Sequence, residues 1–429
     1  MQKKKSKNDS KNKTWLKLDN AANIYPSLIS RNFTPNFRVS LSLSEPVNPE
    51  ILQKATENCL PRFENFSSTL KKGLFWHYLE HNDNVPVVEY DSHFPMRPLI
   101  SKYNNGFHFR VCYYENRIAL EVMHVITDGT GATYFLCTLV AEYLRLTGKK
   151  IPYSGPGIID LKAKPSPEEM EDSFRKYTRF KARRTRKETS AYHIKGTKLP
   201  HGEVGIITGR VPVAAVKEKA KQFNATITEY LTAVLVWSLY LHQKEHSKKE
   251  VAIKVTIPIN LRNHYPSKTL RNFSLFINPG IEPKYGDWDF DEIVSDVQHF
   301  LRLNNKEKFL NANMSANLGD EINPFIRAVP LFLKTPVLHM YFVSGEDKYS
   351  STISNLGEFK MPEEMKPYIE RADFILGRPY IMPTNCAVAS FNGIMSISFG
   401  RSIKETDCER EFFRTLIKMG IPVKIESNQ

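Results

Sequence analysis

Hydrophobic and polar positions along this chain alternate with two different periods, and the places where the period changes outline its elements. RVSLSLS (38–44) alternates every second residue, as a half-buried strand does. Asn48-Pro49-Glu50 follows and predicts a helix start, with Asn as the cap and Pro in the first turn. FHFRVCYY (107–114) and RIALEVMH (117–124), joined by Glu115-Asn116, predict a hairpin. In its second strand Ile118, Leu120, Val122 and His124 share a face, because side chains alternate with period two. His124 therefore closes an inward-facing apolar stripe.

The period then lengthens. ATYFLCTLVAEYLRLTG has apolar residues at 135, 136, 139, 140, 143 and 144, one face of a helix, and Gly148 supplies the left-handed residue that stops it. From about 149 to 203 the pattern dissolves into Pro, Gly and then Lys and Arg. Beyond that, Thr226-Ile-Thr-Glu229 and Thr406-Asp-Cys-Glu409 read as capping boxes ahead of apolar helices. EVAIKVTIPI (250–259), FSLFINPG (273–280) and a hairpin turning at Asn392-Gly393, an expected type I′ turn, supply strands. The expectation is an α/β chain with a tail (1–13), a first lobe (14–165), a basic linker (166–203) and a second lobe (204–429).

Composition changes this picture little. At 429 residues the chain is too long for one ordinary core, and 41% hydrophobic with 25% charged residues is an average globular balance. The net charge of +14 suggests nucleic acid until it is located. Residues 1–13 carry six lysines and one aspartate, and 174–196 carry nine basic residues and Glu188. Those two segments hold 13 of the 14 net charges, so the body is almost neutral and nucleic-acid binding is not expected. No apolar run approaches the ~18 residues of a membrane span. The first lysines are followed by polar residues rather than the apolar stretch of a secretory signal. Five scattered cysteines, without metal-ligand spacing, fit a reduced, cytoplasmic protein with no metal.

Candidate chemistry concentrates in MHVITDGTGATYF (123–135), where strand gives way to helix. A histidine at a strand end is a reasonable general base, since its usual pKa near 6.5 lets it accept a proton at neutral pH. Asp128 can pair with a cation and hold the loop, or orient the ring directly. Gly129 lets the backbone approach a ligand or take a positive φ. The bland alternative is a core-edge histidine beside a loop-capping aspartate. His108 and Arg110 read as two faces of a strand, and Cys386 as a packed small hydrophobe. The aromatics at 341, 342, 374 and 380 read as core, or as the lining of a tunnel.

HxxxDG after a hairpin strand and before a helix resembles the active-site motif of the coenzyme-A-dependent acyltransferase superfamily, which includes alcohol acetyltransferases, BAHD acyltransferases and condensation domains of peptide synthetases. WLKLDNAANIYPSL (15–28) is similar to the opening of bacterial alcohol-acetyltransferase-like members, and IPINLRNHY (257–265) to the family strand whose arginine, here Arg262, pairs with the motif aspartate. DFILGRP (373–379) resembles a degenerate DFGWG, with Ile375 and Leu376 replacing its centre. SNLG (354–357) resembles a turn near the acyl tunnel. Condensation domains carry a second histidine where this chain has Met123, so the alcohol-acetyltransferase-like branch fits best.

The resemblance implies two lobes of the chloramphenicol-acetyltransferase type, each a mixed sheet flanked by helices, with an active-site channel between them. It implies a monomer with no permanently bound cofactor, taking acyl-coenzyme A as co-substrate and a small alcohol or amine as acceptor. His124 would be the base, with Asp128 and Gly129 beside it in the site. Asp128 and Arg262 would form a bidentate ion pair, or Asp128 would be a dyad partner of the ring. Ser354 and Asn355 are candidates for the oxyanion site or tunnel. Arg183, Arg184 and Arg186 could meet the coenzyme A phosphates, or lie in a solvated linker. The rival reading is a catalytically silent relative that binds a small molecule or carrier protein in the same channel.

Overall fold

Two hydrophobic cores organise the chain, and the computed structural model describes residues 15–179, 188–200 and 202–428 around them. The first part supplies β1 (Trp15–Lys17), β2 (Asn36–Leu43), α1 (Pro49–Cys59), β3 (Ser68–Lys72), β4 (His77–His81), β5 (Glu89–Tyr90), β6 (Phe109–Tyr114), β7 (Arg117–Met123) and α2 (Gly129–Leu146). After α3 (Ser173–Tyr177) come β8 (Gly205–Pro212), α4 (Val213–Gln222), α5 (Ile227–His246), β9 (Ile253–Asn260), β10 (Ser274–Ile277) and β11 (Gly280–Ile281). The helices α6 (Phe290–Asn304), α7 (Glu307–Ile322), α8 (Pro324–Ala328) and α9 (Leu331–Glu346) follow. The chain closes with β12 (Ser351–Glu358), β13 (Ile369–Leu376), β14 (Thr384–Phe391), β15 (Ile394–Arg401), α10 (Asp407–Lys418) and β16 (Lys424–Ser427).

The second sheet runs β10-β9-β12-β14-β15-β8-β16 with β11 on β9, and mixes parallel with antiparallel pairs. The first runs β13-β2-β7-β6-β5, while β1, β4 and β3 form a small separate sheet. A division of the chain at 165 and 204 therefore does not divide the sheets. β13, from the late sequence, pairs antiparallel with β2 along Ile369–Leu376. Its Asp373 meets Arg210 of β8 at 3.0 Å, which ties the two sheets together. The expected linker is also packed chain where it is described: Phe174, Tyr192 and Ile194 are buried in the second core.

Local signals account for most of the elements. Asn48 accepts from Ile51 N to start α1, and Thr226 with Glu229 forms the reciprocal capping box of α5. Gly148 ends α2 at φ +88°, and Asn392 and Gly393 take positive φ in the β14–β15 turn, as a type I′ turn requires. The second expected capping box is absent. Thr406 makes no capping bond, and the Glu409 carboxylate is buried, accepting from Thr384 Oγ1 of β14 at 2.7 Å.

β2 is buried along its whole length. Its polar face carries Arg38, whose guanidinium bonds Asp91 and, at 2.8 Å, Glu121. Glu121 also accepts from Arg110 Nε at 2.7 Å and Met96 N at 2.7 Å. Burial pushes the Glu121 carboxyl up, but Arg110 and Arg38 outweigh it and hold the group below its usual range. Glu121→Gln would leave two buried guanidinium groups short of charge, so we expect a loss of about 3 kcal/mol in urea unfolding. The wild type should lose the same contribution as pH falls through the depressed carboxyl pKa. A change below about 1 kcal/mol would show that these charges are no better than neutral packing.

Candidate active site

His124 stands in the turn just after β7, its backbone N–H donating to Pro35 O at 2.9 Å and its carbonyl accepting from Asn272 Nδ2 at 2.9 Å. The ring is held on two sides. Tyr25, from the 3₁₀ helix Ala22–Leu28, stacks on it at 5.2 Å between centroids, and Phe37 of β2 lies 4.4 Å away. The residue is half-buried, and its Nδ1 is buried without a hydrogen-bond partner among the described residues. Burial pulls the imidazole down to about 4, while the nearby Asp128 charge acts in the opposite direction. At neutral pH the ring is therefore uncharged.

Asp128 is the N-cap of α2. Its Oδ1 accepts from Thr130 N at 3.1 Å and Gly131 N at 3.2 Å, satisfying amides that no helical carbonyl can reach. Its Oδ2 accepts from Phe273 N at 2.9 Å and from Arg262 Nη1 at 2.8 Å. The ion pair uses one guanidinium nitrogen rather than the two expected. Nη1 also donates to Asn260 Oδ1 at 3.2 Å, while Nε and Nη2 donate to Thr269 O at 3.0 and 2.8 Å, and Nη2 to Arg271 O at 2.6 Å. Both carboxylate oxygens are thus committed away from the His124 ring, which removes the geometric basis for a dyad.

The glycines divide the labour differently from the sequence expectation. Gly129 opens α2 without a positive φ, and a Cβ there would press on the side chain of Leu356. Gly131 is the tighter position, since its Cβ would fall on the Leu270 carbonyl oxygen and on Thr127 Oγ1. Thr127 Oγ1 itself donates to Leu270 O at 2.6 Å, so neither obstacle is free to move. Ser354 and Asn355 lie within β12 rather than in a terminal turn, at a register shift against β14. Asn355 Nδ2 donates to Thr228 Oγ1 at 3.0 Å and its Oδ1 accepts from Gly357 N at 2.8 Å. What the SNLG segment brings to the motif is the Leu356 side chain.

Other expected positions scatter. Arg183, Arg184 and Arg186 lie outside the described residues. His108 is buried and accepts from Leu70 N at 2.7 Å, and Cys386 is buried, which pushes its thiol well above its usual value. Phe374 belongs to the first core, Tyr341 is exposed, and Phe342 packs edge-on against Tyr380. The neighbours that sequence reading missed are Tyr25, Asn272 and Asp19. Asn272 Nδ2 also reaches Asp19 Oδ2 at 3.1 Å, and no periodic pattern or motif spacing marks any of the three. Glu346, at the end of α9, is a further buried acid: burial raises its carboxyl to about 7, and it accepts from Ile381 N at 3.0 Å.

Among the described residues one group has metal-ligand chemistry, His242 and His246 of α5 with Asp407 of α10, their ligand atoms within 4.8 Å of one another. Its members already have protein partners: Tyr192 OH at 2.9 Å from His242 Nδ1, and Arg410 on Asp407. A cavity of about 470 Å³ lies beside the 3₁₀ helix, lined by Trp15, Leu18, Asn23, Phe75, Trp76 and Arg327 among others, and His124 is not in its lining.

With this geometry in view, likeness to known proteins can be placed. A family model described as alcohol acetyltransferase matches residues 185–278, the stretch that contains Asn260, Arg262 and the 269–273 loop. No curated protein matches the chain by sequence. Solved structures match it over nearly its whole length. Polyketide synthase associated protein 5 from Mycobacterium tuberculosis is 14% identical, with a TM-score of 0.58 over 93% of this chain and 96% of that one. Trichothecene 15-O-acetyltransferase from Fusarium sporotrichioides is 12% identical, with a TM-score of 0.61 over 97% and 96%. The first condensation domain of the calcium-dependent antibiotic synthetase is 12% identical, with a TM-score of 0.59 over 96% and 97%. The fold is the two-lobed condensation-domain and acyltransferase fold. The family model that matches residues 185–278 is one of acyltransferases, and two of these solved structures are named as an O-acetyltransferase and a condensation domain.

The Asp128–Arg262 contact makes a direct prediction. Asp128→Asn and Arg262→Met should each lower the melting temperature, because each strands a buried partner at a cost of ~3–5 kcal/mol. In the double variant the loss should fall well short of the sum, since groups in contact are not additive. Additive losses in a thermal-unfolding cycle would show that the two side chains act independently.

Proposed function

We propose that this protein is an acyltransferase that moves an acyl group from acyl-coenzyme A to a hydroxyl acceptor, with an amine as the alternative nucleophile and His124 as general base. The observation that carries this reading is the placement of the His124 ring, whose Nδ1 is buried without a hydrogen-bond partner among the described residues while Asp128 is fully engaged by the α2 amides, Phe273 N and Arg262. A neutral imidazole is ready to take a proton. The other ring nitrogen, Nε2, would receive it as the acceptor oxygen attacks the thioester carbonyl. The imidazolium formed would then gain from the nearby Asp128 charge, which favours the protonated ring even though burial opposes it. The oxyanion of the tetrahedral intermediate needs donors worth about 3–4 kcal/mol each. Ser354 stays a candidate for that role through its place at the β12 shift, whereas the Asn355 amide is already bonded to Thr228. Coenzyme A is a co-substrate in this reading, and no resident cofactor is required.

One observation favours the rival, a silent relative that binds a ligand at the same place. Tyr25 and Phe37 pack against the His124 ring, so a substrate must displace or skirt them to reach it.

A screen of thiol release from acyl-coenzyme A donors of increasing chain length, with several alcohols and amines, separates the two. The enzyme reading expects acceptor-dependent release that His124→Ala lowers by roughly 10²–10⁴-fold without changing the unfolding transition. Release that is insensitive to His124→Ala would remove the base from the mechanism. The pH profile gives a second check. Because the ring is held at about 4 rather than its usual 6.5, activity should stay level as pH falls through 6.5 and decline only on approach to 4. The same depressed value means that the unfolded chain binds a proton the folded chain refuses between those limits, so stability also falls with pH there. An acid limb centred at 6.5 or above would contradict a buried, neutral base.

A further inference from the structure

A run of exposed apolar side chains lies along α8 and α9. Residues 322–345, INPFIRAVPLFLKTPVLHMYFVSG, contain no Asp or Glu, and their only charged side chains are Arg327 and Lys334. Phe325 is 84% exposed, and Phe332, Leu333, Val337, Met340 and Tyr341 are all exposed, at spacings that put them on one side of α9. The opposite side of α9 is the one that packs, through Leu331 and Lys334. A contiguous patch of this kind on a soluble fold marks an interaction surface.

A second segment joins it. The β3–β4 hairpin turns through Lys71-Lys72-Gly73-Leu74-Phe75-Trp76, with Leu74 69% exposed and Phe75 exposed beside it. Leu331 N donates to Leu74 O at 2.8 Å, and Lys334 Nζ donates to Phe75 O at 3.0 Å while sitting 3.7 Å from the Trp76 ring centre. The hairpin tip and α9 therefore form one surface, in which apolar side chains are flanked by the exposed cations Lys71, Lys72 and Arg327. Phe75, Trp76 and Arg327 also line the cavity of about 470 Å³, so that cavity adjoins the same surface.

The geometry points to a docking face for an anionic lipid membrane, on which α9 lies in the interface plane with Leu74 and Phe75 inserted beside it. Charge selects this occupant. Residues 322–345 present no acidic group, and Lys72 and Arg327 stand exposed at the edge while Lys71 is paired with Glu80 at 3.8 Å; an anionic bilayer matches that edge, each such cation near its surface adding about 1 kcal/mol. A second copy is the competing occupant, and the vesicle and light-scattering measurements below separate the two. No helix among the described residues is long and apolar enough to cross a membrane, so the association is interfacial. The inference does not rest on the acyl-transfer reading.

Co-sedimentation of the full chain with vesicles of phosphatidylcholine alone, or of phosphatidylcholine mixed with phosphatidylglycerol, tests it. We expect binding to the mixed vesicles that drops at least about tenfold in a Phe332→Ser, Val337→Ser, Met340→Ser triple variant. These side chains are exposed, so the unfolding transition of that variant should match the wild type. Lys71→Gln with Lys72→Gln should weaken binding to the mixed vesicles and leave any binding to neutral vesicles as it was. Wild-type and triple variant sedimenting equally would assign the binding to the lysine-rich 1–13 segment and overturn the proposal. So would a wild type that ignores both vesicles but runs as a dimer by light scattering, with the triple variant monomeric, because the face would then be an interface between copies. A wild type that ignores both vesicles as a monomer refutes it as well.

Discussion

The site depends on one carboxylate. Asp128 gathers four donors that come from three different places: the first turn of α2, the backbone at Phe273, and Arg262 at the end of β9. Through Arg262 the constraint spreads, because the guanidinium also holds the Thr269 and Arg271 carbonyls and so shapes the loop that follows. That loop presents Asn272, which bonds the His124 carbonyl on one side and Asp19 on the other. The position of the histidine is thus fixed through backbone by a residue that never touches its ring. An aspartate is needed rather than an asparagine, since every contact is a donor facing an acceptor and one of them is a full positive charge.

The ring environment follows a different logic. Tyr25 and Phe37 provide apolar surface, and their burial of His124 lowers its proton affinity more than Asp128 raises it. A base held neutral in this way keeps its lone pair across the whole physiological range, but it has less driving force to keep the proton once taken. Burial also raises the Tyr25 hydroxyl, with Asp19 and Asp128 adding to the effect, so this neighbour stays protonated and uncharged.

Much of this could be read from the sequence, and what could not has physical reasons. The hairpin at 109–123, the α2 start and the α5 capping box are local signals written within a few residues. The pairing of Asp128 with Arg262 came through resemblance, because no spacing rule links residues so far apart in the chain. Thr406 and Glu409 carry a capping-box pattern, yet Glu409 is buried against Thr384, so tertiary contact overrode the local rule. Gly131 was missed in favour of Gly129, since the obstacle it avoids is the backbone of Leu270, which arrives from the other lobe. β13 was not expected in the first sheet because its sequence, IERADFIL, has an ordinary strand pattern that says nothing about its partner.

That misplaced strand constrains how the site is reached. β13 pairs with β2 along its length, and β2 carries Phe37 against the His124 ring. Asp373 of β13 is meanwhile held by Arg210 of the second sheet. Pulling the two sheets apart to admit a substrate would bare that buried ion pair, a cost of several kcal/mol. The other wall is lighter. Tyr25 rides on a 3₁₀ helix of seven residues, whose neighbour is α9 through the His339 bond to Ser27 O at 3.3 Å. A short helix has few backbone bonds to lose and moves at lower cost than a sheet. Displacement of Tyr25 is therefore the lower-cost way to open space beside the His124 ring.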